Sequence, residues 1–134
     1  MRKMTLKQSL ELCAKYWGIL AETGCAKYDI PGMRQLVHGC PCCQYAAEQN
    51  NAVHLSDCSL CPMMGYWMRF RRRTGGRPTK AAYIDFACER NDTPYSKWWD
   101  LIGDPRAKAR AMTKRYARQI SNAALRELKK LEAK

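Results

Sequence analysis

The 134-residue sequence holds two histidines and no long apolar run. A membrane-spanning helix needs about twenty consecutive apolar residues, so none is expected. Lys7 and Glu11 interrupt the apolar pattern of the opening segment, which therefore does not read as a secretory signal. Three chemistry-bearing patterns are missing: the phosphate-cradling G-x-x-x-x-G-K-[ST], the dinucleotide G-x-G-x-x-G and the zinc-protease H-E-x-x-H. "VHLSD" at 53–57 has the look of a His-Asn-His nuclease strand, but no histidine follows His54. His38 is followed by Gly39 and Cys40 rather than the H-x-E of a zinc deaminase. Cys42 with His54 makes a hydrolytic pair without a third, orienting group. The expectation is a chain that is not an enzyme.

Acid is scarce too. Twelve Asp and Glu face 24 Lys and Arg, for a net charge of +12. The excess is unevenly placed. Residues 28–68 carry one base and three acids, residues 69–80 six bases and no acid, and residues 104–134 ten bases and three acids. A field of this sign favours a polyanion or an acidic protein surface. Solubility alone is the bland alternative.

What is plentiful is cysteine, eight in all. Without a secretory signal the thiols stay reduced, and metal is a better first reading than disulfides. Cys40 with Cys43, and Cys58 with Cys61, form two C-x-x-C pairs separated by fourteen residues. Such a turn brings two sulfurs toward one point, and two turns supply four thiolates around a tetrahedral zinc ion. Four thiolates leave no open position, so the site is structural rather than catalytic. Four thiolates also suit an iron–sulfur cluster, and buried free thiols are the plain alternative. Cys42 is the spare of its triplet and is expected to point off the metal. Cys13 falls on an apolar helical face and reads as core. His38 and His54 stand near the pairs, but neither spacing demands a ligand.

The chain reads as mainly α. Leu6, Leu10, Cys13, Trp17 and Leu20 share one face of a first helix, bounded by Thr5 or Thr23, with Gly24 as its stop. Pro31 and Gly32 break the chain before a short turn through Arg34–His38. Pro62 opens a helix on which Met64, Trp67 and Met68 share a face. "RRRTGGRPTK" reads as an exposed loop, and "AAYIDFAC" fits a strand or a helix. Thr93 caps a helix with Pro94 in its first turn and Tyr95, Trp98, Trp99 and Ile102 on one side. A last helix from Pro105 to about Leu131 has Met112, Tyr116, Ile120, Ala123, Ala124, Leu128 and Leu131 as its apolar side. The organisation expected is a zinc-stabilised helical domain over 1–103, with a basic loop at 69–80, and a basic amphipathic helix over 104–134.

In order, these motifs are Trp17, "CPCCQYAAE" from Cys40, "CSLCP" from Cys58, Cys88 and "TPYSKW" from Thr93. That order resembles a group of small, uncharacterised cysteine-rich phage and prophage proteins, and the resemblance covers most of the chain. The resemblance implies a phage-encoded protein of the bacterial cytoplasm with no known reaction. It also makes Cys88 a possible substitute ligand for Cys58 or Cys61. The long arginine-rich stretch between Cys61 and Cys88 departs from that pattern, so the loop's role does not carry over.

Two functions follow as expectations. In the first, a zinc-binding protein binds nucleic acid or regulates transcription. Arg69, Arg71, Arg72, Arg73, Arg77 and Lys80 contact phosphates, and Arg110, Lys114, Arg115 and Arg118 extend the track. Without a base-reading motif, such binding is dominated by the backbone and sensitive to salt. In the second, a phage-encoded inhibitor or adaptor sits on a host protein, such as RNA polymerase or a defence nuclease.

Overall fold

The computed structural model describes residues 3–36, 40–49, 60–73, 88 and 93–134, with side chains omitted at 71–73. Among these residues are six α-helices, one 3-10 turn and no strand. The chain is mainly helical, and no described helix is long and apolar enough to cross a membrane.

Helix α1 spans Leu6–Thr23. Its start is a capping box: the Thr5 hydroxyl accepts from the Gln8 N–H, and the Gln8 side chain accepts from the Thr5 N–H. It ends at Gly24, whose φ of 70° lies in the left-handed region and whose N–H reaches the Leu20 carbonyl. Leu10, Cys13, Trp17 and Leu20 are buried, as their spacing predicts. A 3-10 turn, Lys27–Asp29, leads to the short α2, Pro31–Arg34. The expected turn through Arg34–His38 is thus placed earlier, because Pro31 starts a helical turn instead of breaking one. Residues 37–39 lie outside the described residues.

Helix α3 is Pro41–Gln49 and α4 is Met64–Arg73. Pro62 stands in the turn before α4 rather than inside it. Met63, Tyr66 and Trp67 are buried, while Met64 and Met68 are only partly so. The basic stretch begins differently from the expected loop: Arg69, Arg71, Arg72 and Arg73 belong to α4. Arg77, Lys80 and the ambiguous segment 81–87 lie outside the described residues.

Helix α5 is Pro94–Leu101, capped by Thr93, whose side chain accepts from the Ser96 N–H. Trp98 is buried, but Trp99 is exposed, so the expected four-residue apolar side is narrower than read. Helix α6 is Ala107–Glu132, about 39 Å at 1.5 Å per residue. It starts two residues after Pro105. Asp104 holds the entry by accepting from the Arg106 N–H at 3.0 Å and from the Arg106 guanidinium.

The core is the antiparallel pair α1 and α6. Glu22 meets Arg118, Gly24 lies beside Lys114, and the Ser121 hydroxyl donates to the Ala14 carbonyl at 2.7 Å. The buried side of α6 is Ala109, Thr113, Ala117, Ile120, Ser121, Ala123 and Ala124. Ile120, Ala123 and Ala124 of the expected stripe are buried, whereas Met112, Tyr116, Leu128 and Leu131 lie only partly buried on its flank. Small side chains let the two backbones approach, with Gly18 facing Ser121, and larger ones are pushed to the margins. Helix α5 closes one flank of this pair through Trp17, whose ring meets Trp98 and Tyr95 edge-on at 5.1 and 5.7 Å. Helix α3 packs on the N-terminal half of α1, where the Met4 N–H reaches the Glu48 carboxylate at 2.8 Å.

Candidate functional site

The cysteines are placed by helix starts. Cys40 precedes α3 and Cys43 lies in its first turn, so the Cys43 N–H points back at the Cys40 sulfur, 3.5 Å away. The two sulfurs are 3.7 Å apart. Two sulfurs each about 2.3 Å from a tetrahedral zinc ion stand about 3.8 Å apart, so this pair has the edge length of such a site. Cys61 repeats the arrangement before α4: the Met63 N–H approaches its sulfur at 3.4 Å, and the Met64 N–H donates to its carbonyl. At Cys40 the N–H contact favours the thiolate form.

Cys88 joins this group through the cap of α5. The Thr93 hydroxyl donates to the Cys88 carbonyl while accepting the Ser96 N–H, so one side chain caps the helix and fixes the cysteine five positions upstream. Cys88 is near enough to Cys43 to push its thiol up. Cys42, fully buried, turns toward α1: its sulfur is 4.0 Å from the Ser9 carbonyl, and it interacts with Cys13, Cys40 and Cys61. Cys13 is core, as expected. Six sulfurs therefore share one neighbourhood, four of them from the candidate set. Among the described residues, no three Cys, His, Asp or Glu side chains complete a metal-holding arrangement. Cys58, His38 and His54 lie outside the described residues.

The thiols differ in acidity. Hydrogen bonds from Cys42 and Cys43 hold Cys40 well below the usual thiol value, helped by the Lys27 ammonium and opposed by burial. Hydrogen bonds to Cys13, Cys40 and Cys61, together with burial, push Cys42 well above it. Bonds to Cys40 and Cys88 do the same to Cys43. At Cys13 the bond with Cys42 acts downward, but burial and the neighbouring sulfurs leave it raised.

Lys27 is a residue that periodicity did not mark. Only 5% exposed, it donates to the Tyr95 hydroxyl at 2.8 Å, and its ammonium lies over the rings of Tyr28 and Tyr95. Among the described residues no carboxylate bridges to it. The one sequence signal is position: it comes three residues after the Gly24 stop, at the start of the next turn.

The basic residues form the second part of the site. Arg69, Arg110, Lys114 and Arg115 are exposed. Arg118 is half-exposed and paired with Glu22. The other ion pairs among the described residues are Lys7–Glu11, Arg106–Asp104 and Lys130–Glu127, which leaves Arg110, Lys114 and Arg115 without a carboxylate partner there. Arg126, also exposed, lies over the Tyr66 ring of α4 at 6.0 Å. Burial raises the Tyr66 hydroxyl's pKa, while Arg126 and Arg69 pull it down. Two stretches far apart in sequence thus meet at one ring. Side chains at 71–73 are not described, and Arg77 and Lys80 lie outside the described residues. No family model, curated protein or solved structure matches the chain.

Proposed function

We propose that this chain is a non-catalytic, zinc-binding protein of phage type that binds nucleic acid, or regulates transcription by doing so, in the cytoplasm of a bacterial host. The observation that carries this reading is Arg126 of α6 lying over Tyr66 of α4, the helix that also carries Arg69. It joins the arginine-rich helix α4 to the basic face of α6, so the charge of both stretches bears on one region. A phosphate backbone is the common ligand for such a surface, and counterion release makes its binding steeply dependent on salt. Fluorescence anisotropy with labelled oligonucleotides at several salt concentrations tests it. We expect log K to fall by about 0.9 per phosphate contact for each unit of log salt. Charge reversal at Arg115 weakens binding and flattens that slope by about one contact. Binding that is absent at low salt, or indifferent to salt, sinks the reading.

The metal part of the proposal is zinc held by Cys40, Cys43, Cys61 and Cys58, with Cys88 as the substitute for the fourth ligand. The 3.7 Å sulfur pair and the two N–H···S contacts support it. The zinc would supply a closed structural link between the starts of α3 and α4. Elemental analysis of the protein and of its Cys→Ser variants at 40, 43, 58, 61 and 88 decides the ligands. The inhibitor reading has less support, because the small-residue side of α6 is already packed on α1.

A further inference from the structure

The protein has four tryptophans. Trp17, Trp67 and Trp98 are buried, while Trp99 is 55% exposed. The exposed indole is nevertheless held in place. It stacks on Tyr95, one helical turn earlier, with ring planes 15° apart and centroids at 6.4 Å. Tyr95 in turn contacts Trp17 and Trp98 in the core. The Lys27 ammonium lies over both Tyr95 and Tyr28, the latter 50% exposed. The result is a run of ring, cation, ring, ring whose two ends face solvent.

A further cation lies on another side of the same helix, two positions from Trp99. Lys97, exposed on the same helix, places its ammonium 5.9 Å from the centre of the Tyr116 ring, next in sequence to Arg115 on α6. The surroundings are not those of a protein-docking face. Exposed large apolar residues among those described are Tyr28, Leu60, Trp99 and Leu125, with Leu60 and Leu125 on other elements, so no broad apolar patch frames the indole. A held, exposed aromatic surface on a chain of net charge +12 fits a ligand that offers flat π-faces and negative charge at regular intervals. An unpaired nucleobase on a sugar-phosphate chain has both, whereas a duplex hides its base faces.

We propose that Trp99 and Tyr28 form a base-stacking platform for single-stranded nucleic acid. This rests on the nucleic-acid reading above and names its ligand as single-stranded.

Iodide quenching isolates the platform, because the three buried tryptophans are shielded. Twelve-nucleotide dT and rU oligomers and a twelve-base-pair duplex serve as probes, with Trp99→Ala, Trp99→Phe and Tyr28→Ala as variants checked by circular dichroism. The expected result is that either single strand removes most of the iodide-accessible fluorescence. Trp99→Ala weakens single-strand binding by about tenfold, a typical loss for one stacked base. Trp99→Phe, which keeps a ring, retains most of the affinity, and duplex binding changes less than twofold. Binding of both dT and rU marks the base face as the feature read, and a preference for rU adds a ribose contact to it. Salt-sensitive binding of duplex and single strand alike, with Trp99→Ala indifferent, overturns the platform and leaves the broader reading standing. No binding of any oligomer at low salt overturns both. A host protein that shields Trp99 after nuclease treatment, where oligomers do not, also overturns the platform.

Discussion

Lys27 shows what one buried charge demands. An ammonium removed from water is tolerated only with strong compensation. Here the partners are the Tyr95 hydroxyl, two ring faces and the sulfur group around Cys40. Tyr95→Phe removes the hydroxyl and leaves the charge, so we expect a loss of about 1.5–3 kcal/mol in urea unfolding. Combining it with Lys27→Met should cost less than the sum of the two singles, the signature of a shared interaction. The thiols give a second prediction. In protein stripped of metal, Cys40 should alkylate before Cys42 and Cys13, since the thiolate is the reacting form. The pH dependence has a definite sign. Cys42 and Cys43 are raised in the fold, so their contribution is full below the unfolded value of about 8.5 and is lost as pH rises through the folded values. Cys40 is lowered, so its contribution is present above the unfolded value and is lost as pH falls through the folded one. Stability of the stripped protein should therefore decline in alkali, and Cys42→Ala should soften that decline. Residue types alone revealed the cysteine pairs, because C-x-x-C spacing is local. They did not reveal Lys27, whose burial depends on an aromatic contributed 68 positions later.

At the scale of elements, helix starts and stops were the most legible features. Thr5, Gly24, Thr93 and Pro94 act where local chemistry predicts, because a cap is settled by the few residues around it. Faces were less legible. On α6 the expected stripe is buried at Ile120, Ala123 and Ala124, but Met112 and Tyr116 sit at its edge, and the seam also takes Ala117 and Ser121. Close approach to α1 selects small residues, a requirement set by the partner helix and invisible along one strand of sequence. Trp99 was misread for a related reason: its spacing matches that of Trp98, but α1 covers only one of two adjacent positions. Ser121 tests the seam. Ser121→Ala, which loses one hydrogen bond but keeps the size, should cost about 1 kcal/mol. Ser121→Leu should cost about 1–3 kcal/mol or more through overpacking against Ala14 and Gly18. Thermal melts of the two variants should separate clearly.

Across the molecule, the sulfur group and the α1–α6–α5 core make different demands. The core is held by aromatic and small-residue packing that includes few candidate ligands. Helices α3 and α4 start at those ligands. Zinc removal by a chelator should therefore raise hydrogen exchange in α3 and α4 first, while α1 and α6 keep most of their protection. Protein that binds no metal, or is indifferent to chelation, would remove the zinc proposal while leaving the helical core as described. The blocks of charge were legible from composition. Their convergence at Tyr66 was not, because it depends on how α4 crosses α6.

The antiparallel seam also dictates a schedule. Ala14 and Ser121 are partners across 107 positions. On a ribosome adding roughly 5–20 residues per second, α1 emerges several seconds before its mate exists. During that interval Trp17 and Leu20 lie bare, and a chaperone or a protease that reads exposed apolar side chains meets the nascent chain before its own closing helix does.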